Sequence, residues 1–194
     1  MVNGSFISLL VSKALEYIQR DFEEDEVRVE VIGEPTKVFT VEGFIDLVRG
    51  AEYNLPRRIA YELEKKGIVK IKSDDKISLE TLSRLVYNEE STIQKTQLVK
   101  TKPFFYSIIR KTINDLKEKL RHESSIELLE EYRNFLDLLH TAARIRTRKM
   151  LNALLLTEIP PDLIEKMSEE EKLLFVMLFD ALKSWLKGLG LEKA

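Results

Sequence analysis

The sequence predicts an α+β chain: a small N-terminal β-rich domain followed by a larger all-α helical domain, with an extra helix at the N-terminus. Three observations predict it. Val27, Val29 and Val31 alternate with Arg28, Glu30 and Ile32, the two-residue period of a half-buried strand. From Ser78 onward that alternation is gone, and apolar residues recur at three- and four-residue spacing. Ahead of the strands, Phe6, Leu9, Leu10, Ala14, Tyr17 and Ile18 already follow the helical period.

In order along the chain, residues 5–20 read as a short amphipathic helix with Ser5 as N-cap. Asp21 to Glu26 is an acidic run that breaks the pattern. It reads as a solvated linker or, alternatively, as a docking patch for a basic partner, so residues 1–26 form an N-terminal helix and acidic linker. Residues 27–87 form the β-rich domain. Its strands are expected at 27–32, 37–41 and 44–48, with turns at Gly33-Glu34-Pro35 and Glu42-Gly43. A helix capped by Asn54, with Pro56 in its first turn, carries Leu55, Ile59, Ala60 and Leu63 on one face and stops at Gly67. Ile68 to Ile71 is a returning strand. The core of this domain is expected to hold Val29, Val31, Phe44, Leu55, Pro56, Ile59, Leu63 and Val69. Ser78 opens a helix through Tyr87.

Residues 88–101 are polar and weakly periodic, and read as a linker. Residues 102–194 are expected to form a helical assembly domain. A helix runs from about Lys102 to Arg121, and a longer one from Ser124 to about Leu156. Pro160-Pro161 ends the latter. Ser168 and Glu171 then make a capping box for a last helix running to about Lys187. Leu128, Leu129, Phe135, Leu138, Leu139 and Ile145 cannot all face one core. Phe175 to Phe179 is apolar around its whole circumference. A helix apolar all round must be buried all round, so the surplus is expected to meet a second subunit.

Composition removes whole classes of chemistry. The 194 residues contain no cysteine and two histidines, His122 and His140. That excludes disulfides, thiol nucleophiles and zinc ribbons, and leaves almost no material for a His-based metal site or triad. The seven glycines form no phosphate-binding loop, and paired acids such as Glu23-Glu24 and Glu89-Glu90 sit on polar helix faces. No catalytic residue, metal ligand or cofactor is expected. With 31 basic and 33 acidic residues the net charge is −2, which argues against a strongly basic nucleic-acid binder. The apolar run Phe6–Val11 is too short for a signal peptide or a membrane span, so the chain reads as soluble and intracellular. High Lys and Glu without Cys fit a thermophile.

Charge is unevenly divided. Residues 1–90 carry 13 basic and 18 acidic groups, net −5, and the remainder is net +3. The one basic cluster is Arg144, Arg146, Arg148 and Lys149. Arg144 and Arg148, like charges one turn apart, repel by a few tenths of a kcal/mol, so something acidic is expected to face them. The partners are ion pairs within the protein, acids across a subunit contact, or phosphate.

Four stretches together resemble a subunit of the GINS complex, the tetrameric replication factor of archaea and eukaryotes, in the class with the small β domain first. They are Leu55-Pro56 with Ile59-Ala60, Leu63 and Gly67; Pro103-Phe104-Phe105-Tyr106-Ser107-Ile108-Ile109; Ile145-Arg146-Thr147-Arg148-Lys149-Met150; and the acidic start of the last helix, Ser168 to Glu171. They span residues 27–187. The helix and acidic run before them are longer than the family places there. The resemblance implies a non-enzymatic scaffold that bridges the MCM helicase and a RecJ-like or Cdc45-like protein at the replication fork. It implies a 2:2 heterotetramer with a partner subunit of opposite domain order, cytoplasmic and nucleoid-associated, with no membrane and no primary DNA contact. The candidate subunit interface is Phe105, Phe135, Leu139, Ile145, Arg146, Lys149, Met150, Phe175, Phe179 and Trp185. The alternative is a winged-helix DNA-binding transcriptional regulator with a helical dimerisation domain. In that reading Arg57 and Arg58 lie on a recognition helix, and the Asp74-Asp75 turn with Lys76-Ile77 belongs to a wing. The strands at 27–48 and the acidic balance of residues 1–90 argue against it.

Overall fold

The computed structural model describes residues 4–41, 43–72, 76–123, 125–156 and 158–191, with residues 4 and 5 as backbone alone. Glu42, the Asp74-Asp75 turn and Ser124 lie outside the described residues, and Ser5, expected as an N-cap, has its backbone inside the first helix, which starts at Gly4. The chain divides into two units, Met1–Lys76 and Ile77–Ala194. The class is the one expected: an N-terminal helix, a small sheet region, then a larger helical part.

The first unit contains α1 (Gly4–Glu24), β1 (Glu26–Val31), β2 (Thr36–Thr40), β3 (Gly43–Leu47), β4 (Glu52–Pro56), α2 (Arg57–Lys65) and β5 (Val69–Ile71). The valines of β1 set the register. Val27 stands opposite Leu55, Val29 opposite Tyr53 and Ile71, and Val31 opposite Val69, giving an antiparallel sheet of order β4-β1-β5. Strands β2 and β3 form a separate antiparallel hairpin. One face of each element closes on a single core of Val27, Val29, Val31, Leu47, Leu55, Ala60, Leu63, Val69 and Ile71, with Ile59 packed against it. Helix α2 ends in a Schellman arrangement. Gly67, at φ 70°, donates to the Glu64 carbonyl and Ile68 to the Leu63 carbonyl, which turns the chain into β5. At Gly33 a Cβ would lie 2.8 Å from the Ile68 Cα, so only glycine lets the two segments approach.

Three expectations are corrected here. Asn54 is not a helix cap and Pro56 is not inside the helix. Glu52–Pro56 is an edge strand, and α2 begins at Arg57. A five-residue strand with one buried residue carries too little periodicity to be seen, and proline is tolerated at an edge. Phe44 is not core: it is 71% exposed and packs its ring 5.1 Å from Phe39 on the outer face of the hairpin, while Ile45 and Leu47 point inward. A one-residue error of register exchanges the two faces. The acidic run is not a solvated linker. Helix α1 continues to Glu24, Phe22 is buried, Asp25 pairs with Arg57 at 2.9 Å and Glu24 with Arg58 at 3.2 Å.

The second unit contains α3 (Leu79–Ser91), α4 (Phe105–His122), α5 (Ile126–Leu154), α6 (Pro161–Glu165) and α7 (Glu169–Gly188). Local chemistry starts several of these helices. Ser78 accepts from Thr81 N–H, Ser125 accepts from Leu128 N–H, Pro161 opens α6, and the Ser168–Glu171 capping box opens α7. Helix α5 has 29 residues, roughly 44 Å at 1.5 Å per residue, and α3, α4 and α7 all pack on it. The segment 88–101 is therefore not a linker between domains. Its first part is the end of α3. Leu98 beyond it is buried with Met150, Ala153, Leu163, Met167 and Phe175. The division falls at 76/77 because the apolar side of α3, Leu82, Leu85 and Val86, is buried in the helical unit.

Two substitutions test the register of the first unit. Leu55→Ala should destabilise it by about 2–5 kcal/mol, the range for truncating a buried leucine. Phe44→Ser should stay within about 1 kcal/mol, since only a cross-strand surface pair is lost. Amide exchange of β1 in denaturant reads both. A large loss from Phe44→Ser would reverse the assignment of faces.

Candidate functional site

The basic cluster on α5 divides by helical geometry. Successive residues turn by about 100°, so Ile145, Arg146, Lys149 and Met150 face inward while Arg144 and Arg148 face solvent. Arg146 is completely buried. Its Nε and Nη2 donate to the two Glu171 oxygens at 2.7 Å each. Nη1 donates to a Glu89 oxygen and, at 2.7 Å, to the Val99 carbonyl, and Nη2 also reaches the Lys166 carbonyl at 3.1 Å. All five guanidinium N–H groups are thus used. Lys149 donates to the other Glu89 oxygen and to the Glu89 carbonyl.

The two carboxylates are equally saturated. Glu171 also accepts from the Tyr106 hydroxyl at 2.8 Å and from Ser168 N–H at 3.1 Å, and Glu89 accepts from Val99 N–H at 2.9 Å. Two acids meet two bases, so the buried set is neutral. Burial opposes the charge on Arg146, but the Glu171 hydrogen bonds and the two carboxylates hold it above the ordinary arginine value. Burial, reinforced by Glu171, pushes the Tyr106 phenol far above the tyrosine range. Beside this set, Glu170 accepts from both the backbone and the hydroxyl of Ser107 in the first turn of α4, at 2.9 and 2.8 Å, where a helix favours negative charge. The arrangement clamps the end of α3, the segment through Val99 and Thr101, the start of α4, the middle of α5 and the entry to α7. The groups around Arg146 are engaged internally, while of Glu170's two oxygens one takes both Ser107 bonds and the other, buried, has no partner. Among the described residues no group of three or more His, Asp or Glu side chains could hold a metal ion.

The expected interface residues separate accordingly. Phe105, Phe135, Ile145, Arg146, Lys149, Met150 and Phe175 are buried within the chain itself, a correction. The expected surplus of apolar surface rests on residues 88–101 being a linker and α3 belonging to the β-rich domain. That segment and α3 supply the missing cover. Leu139 is half-buried, and Phe179 and Trp185 remain exposed, at 39% and 61%. In all of α7 only Glu171 and Phe175 are buried, although the helix also carries Leu173, Leu174, Val176, Met177, Leu178, Leu182 and Leu186. On α7 the exposed large apolar residues are Val176, Phe179 and Trp185, with Leu189 and Leu191 just beyond it. Among the described residues no helix is long and apolar enough to cross a membrane. Compared with known proteins, the chain matches no family model and no curated relative.

Replacing Arg146 by methionine leaves Glu171 buried without its cation, while Glu89 keeps Lys149, and should cost about 3–5 kcal/mol. Arg148→Met should stay within about 0.5 kcal/mol. Urea unfolding followed by far-UV circular dichroism separates the two, and equal effects would dissolve the inward–outward division. Tyr106 gives a second readout. Its phenol resists ionisation only in the folded chain, so its contribution is full below about pH 10, the unfolded value, and is lost as pH rises past it. Tyr106→Phe should make the alkaline limb of stability against pH shallower, by up to about 1.4 kcal/mol per pH unit.

Proposed function

We propose that this chain is a non-enzymatic scaffold subunit of a GINS-type DNA replication complex, working at replication forks on the cytoplasmic nucleoid. The observation that carries the reading is α7: a helix of twenty residues, mostly apolar, of which two are buried. Such a helix is unstable against water unless another surface covers it, and contiguous exposed apolar area marks a protein interface. The resemblance supplies the kind of partner. A subunit of opposite domain order would cover α7 in a 2:2 heterotetramer, and the assembly would bridge the MCM helicase and a RecJ-like or Cdc45-like protein.

Two further features support the reading. The small β unit precedes the helical unit, the order of that class. The residues that carry the resemblance are also structural anchors: Leu55 in the sheet core, Phe105 and Ile109 in α4, Arg146, Lys149 and Met150 in α5. A pattern kept for architecture rather than chemistry fits a scaffold.

Co-purification of the tagged chain from its native cell, followed by mass spectrometry, tests the partners. Expressed alone, the chain should self-associate or aggregate, and it should become well behaved with its partner subunit. Phe179→Asp and Trp185→Asp should weaken that complex at least tenfold while leaving the far-UV spectrum intact, whereas Lys117→Asp should not. Phe135 is unsuitable for this test because it is core. A chain that stays monomeric by light scattering at tens of micromolar and captures no partner would remove the proposal. So would robust ATP hydrolysis abolished by one point mutation.

A further inference from the structure

The solvent side of α5 carries a second, differently built surface. Arg144, Arg148 and Leu151 follow one another at four- and three-residue steps, so they lie in one line down the helix, and Leu155 at its C-cap extends that line to about 16 Å at 1.5 Å per residue. All four are exposed, Leu151 to 45% and Leu155 to 78%. Neither arginine forms an ion pair among the described residues, although each lines an open hollow with an acid in its wall: Glu90 beside Arg144 and Arg148, and Asp137 with His140 beside Arg144. Two like charges one turn apart repel each other, and among the described residues neither is in an ion pair with the acids beside it. Their neighbours Arg146 and Lys149 hold the buried carboxylates and are unavailable.

We propose that this line is a docking site for an acidic amphipathic segment of a partner protein, one that places two apolar side chains on Leu151 and Leu155 and two carboxylates on Arg148 and Arg144. Charge and shape select this occupant. A guanidinium takes a carboxylate in a planar two-point contact, which suits discrete acids on a peptide. Two exposed leucines in the same line need apolar partners, which a phosphodiester chain lacks. The site is separate from the α7 surface, so it stands or falls independently of the proposed assembly.

The test uses the full chain and three fluorescent probes in anisotropy titrations at constant salt. They are a helix-forming peptide of about 18 residues with two leucines one turn apart and two glutamates two turns further on, the same peptide with lysines for the glutamates, and a single-stranded oligodeoxynucleotide of about 20 nucleotides. The glutamate peptide should bind with a dissociation constant below about 100 µM. R144E/R148E should weaken it at least tenfold and should gain binding of the lysine peptide, while L151Q/L155Q should weaken it about threefold or more. Circular dichroism and melting of each variant check folding, and the gained lysine-peptide binding is itself proof of a folded site. Glutamate-peptide binding unchanged by both double variants, no peptide binding at millimolar concentration, or an oligonucleotide bound more tightly through the arginines alone would each overturn the proposal.

Discussion

The helical unit depends on one buried guanidinium. Arg146 has no access to water and meets every hydrogen-bonding group offered to it by four other segments. Burying a charge is costly, and a saturated ion pair returns about what its desolvation takes. The network is therefore not a large net source of stability. Its effect is on geometry. A purely apolar contact between α3, α5 and α7 would tolerate a sliding of one helix along another, because dispersion is non-directional. The two-point contact with Glu171, the contact with Glu89 and the carbonyls of Val99 and Lys166 tolerate none without leaving a buried charge unmatched. The same contacts explain why the polar segment after α3 is ordered against α5: its backbone supplies part of the acceptor set.

Glu171 shows how local and tertiary roles combine. Its backbone and carboxylate close the capping box that starts α7, a role readable from the Ser168–Glu171 spacing alone. The same carboxylate takes Arg146 and Tyr106. The start of α7 is thus fixed twice over, once by its own sequence and once by α5. Beyond Phe175 no residue of α7 is fully buried, though Met177, Leu178, Leu182 and Leu186 stay half-buried.

Much of this fold was legible in the residues, and its misses share a cause. Long periodic segments, caps and glycine stops placed α4, α5, α7 and the end of α2 within a few residues. The valine alternation of β1 placed the centre of the sheet. What failed was whatever depended on counting faces. In β3, choosing Phe44 as inward put the hairpin's outer face in the core, because a strand's two sides differ by one residue. In α5, ion pairs within the protein are among the expected partners of the basic residues, and Arg146 and Lys149 make them, but with acids 25 and 57–60 positions away in sequence. No local signal marks such partners. The segment 88–101 looked like a linker because its polar residues bind a buried charge, and polarity alone does not separate solvated from internally satisfied backbone.

That division of the basic residues bears directly on what the chain can offer to others. Were Arg146 and Lys149 free, a polyanion would meet four cations on one helix. With both held by Glu89 and Glu171, the outer side keeps two arginines, followed down the helix by two leucines. The apolar side of the unit changes in the same sense. Phe105, Phe135, Ile145 and Phe175, which would have made an all-round sticky domain, are internal, and α7 keeps Val176, Phe179 and Trp185 uncovered. A surface held on a helix whose first turn is doubly fixed loses little conformational freedom on binding, so a larger share of the buried apolar area appears as affinity. The clamp thus fixes the helices that carry both sets of exposed side chains, the mixed one on α5 and the apolar one on α7, before anything binds them.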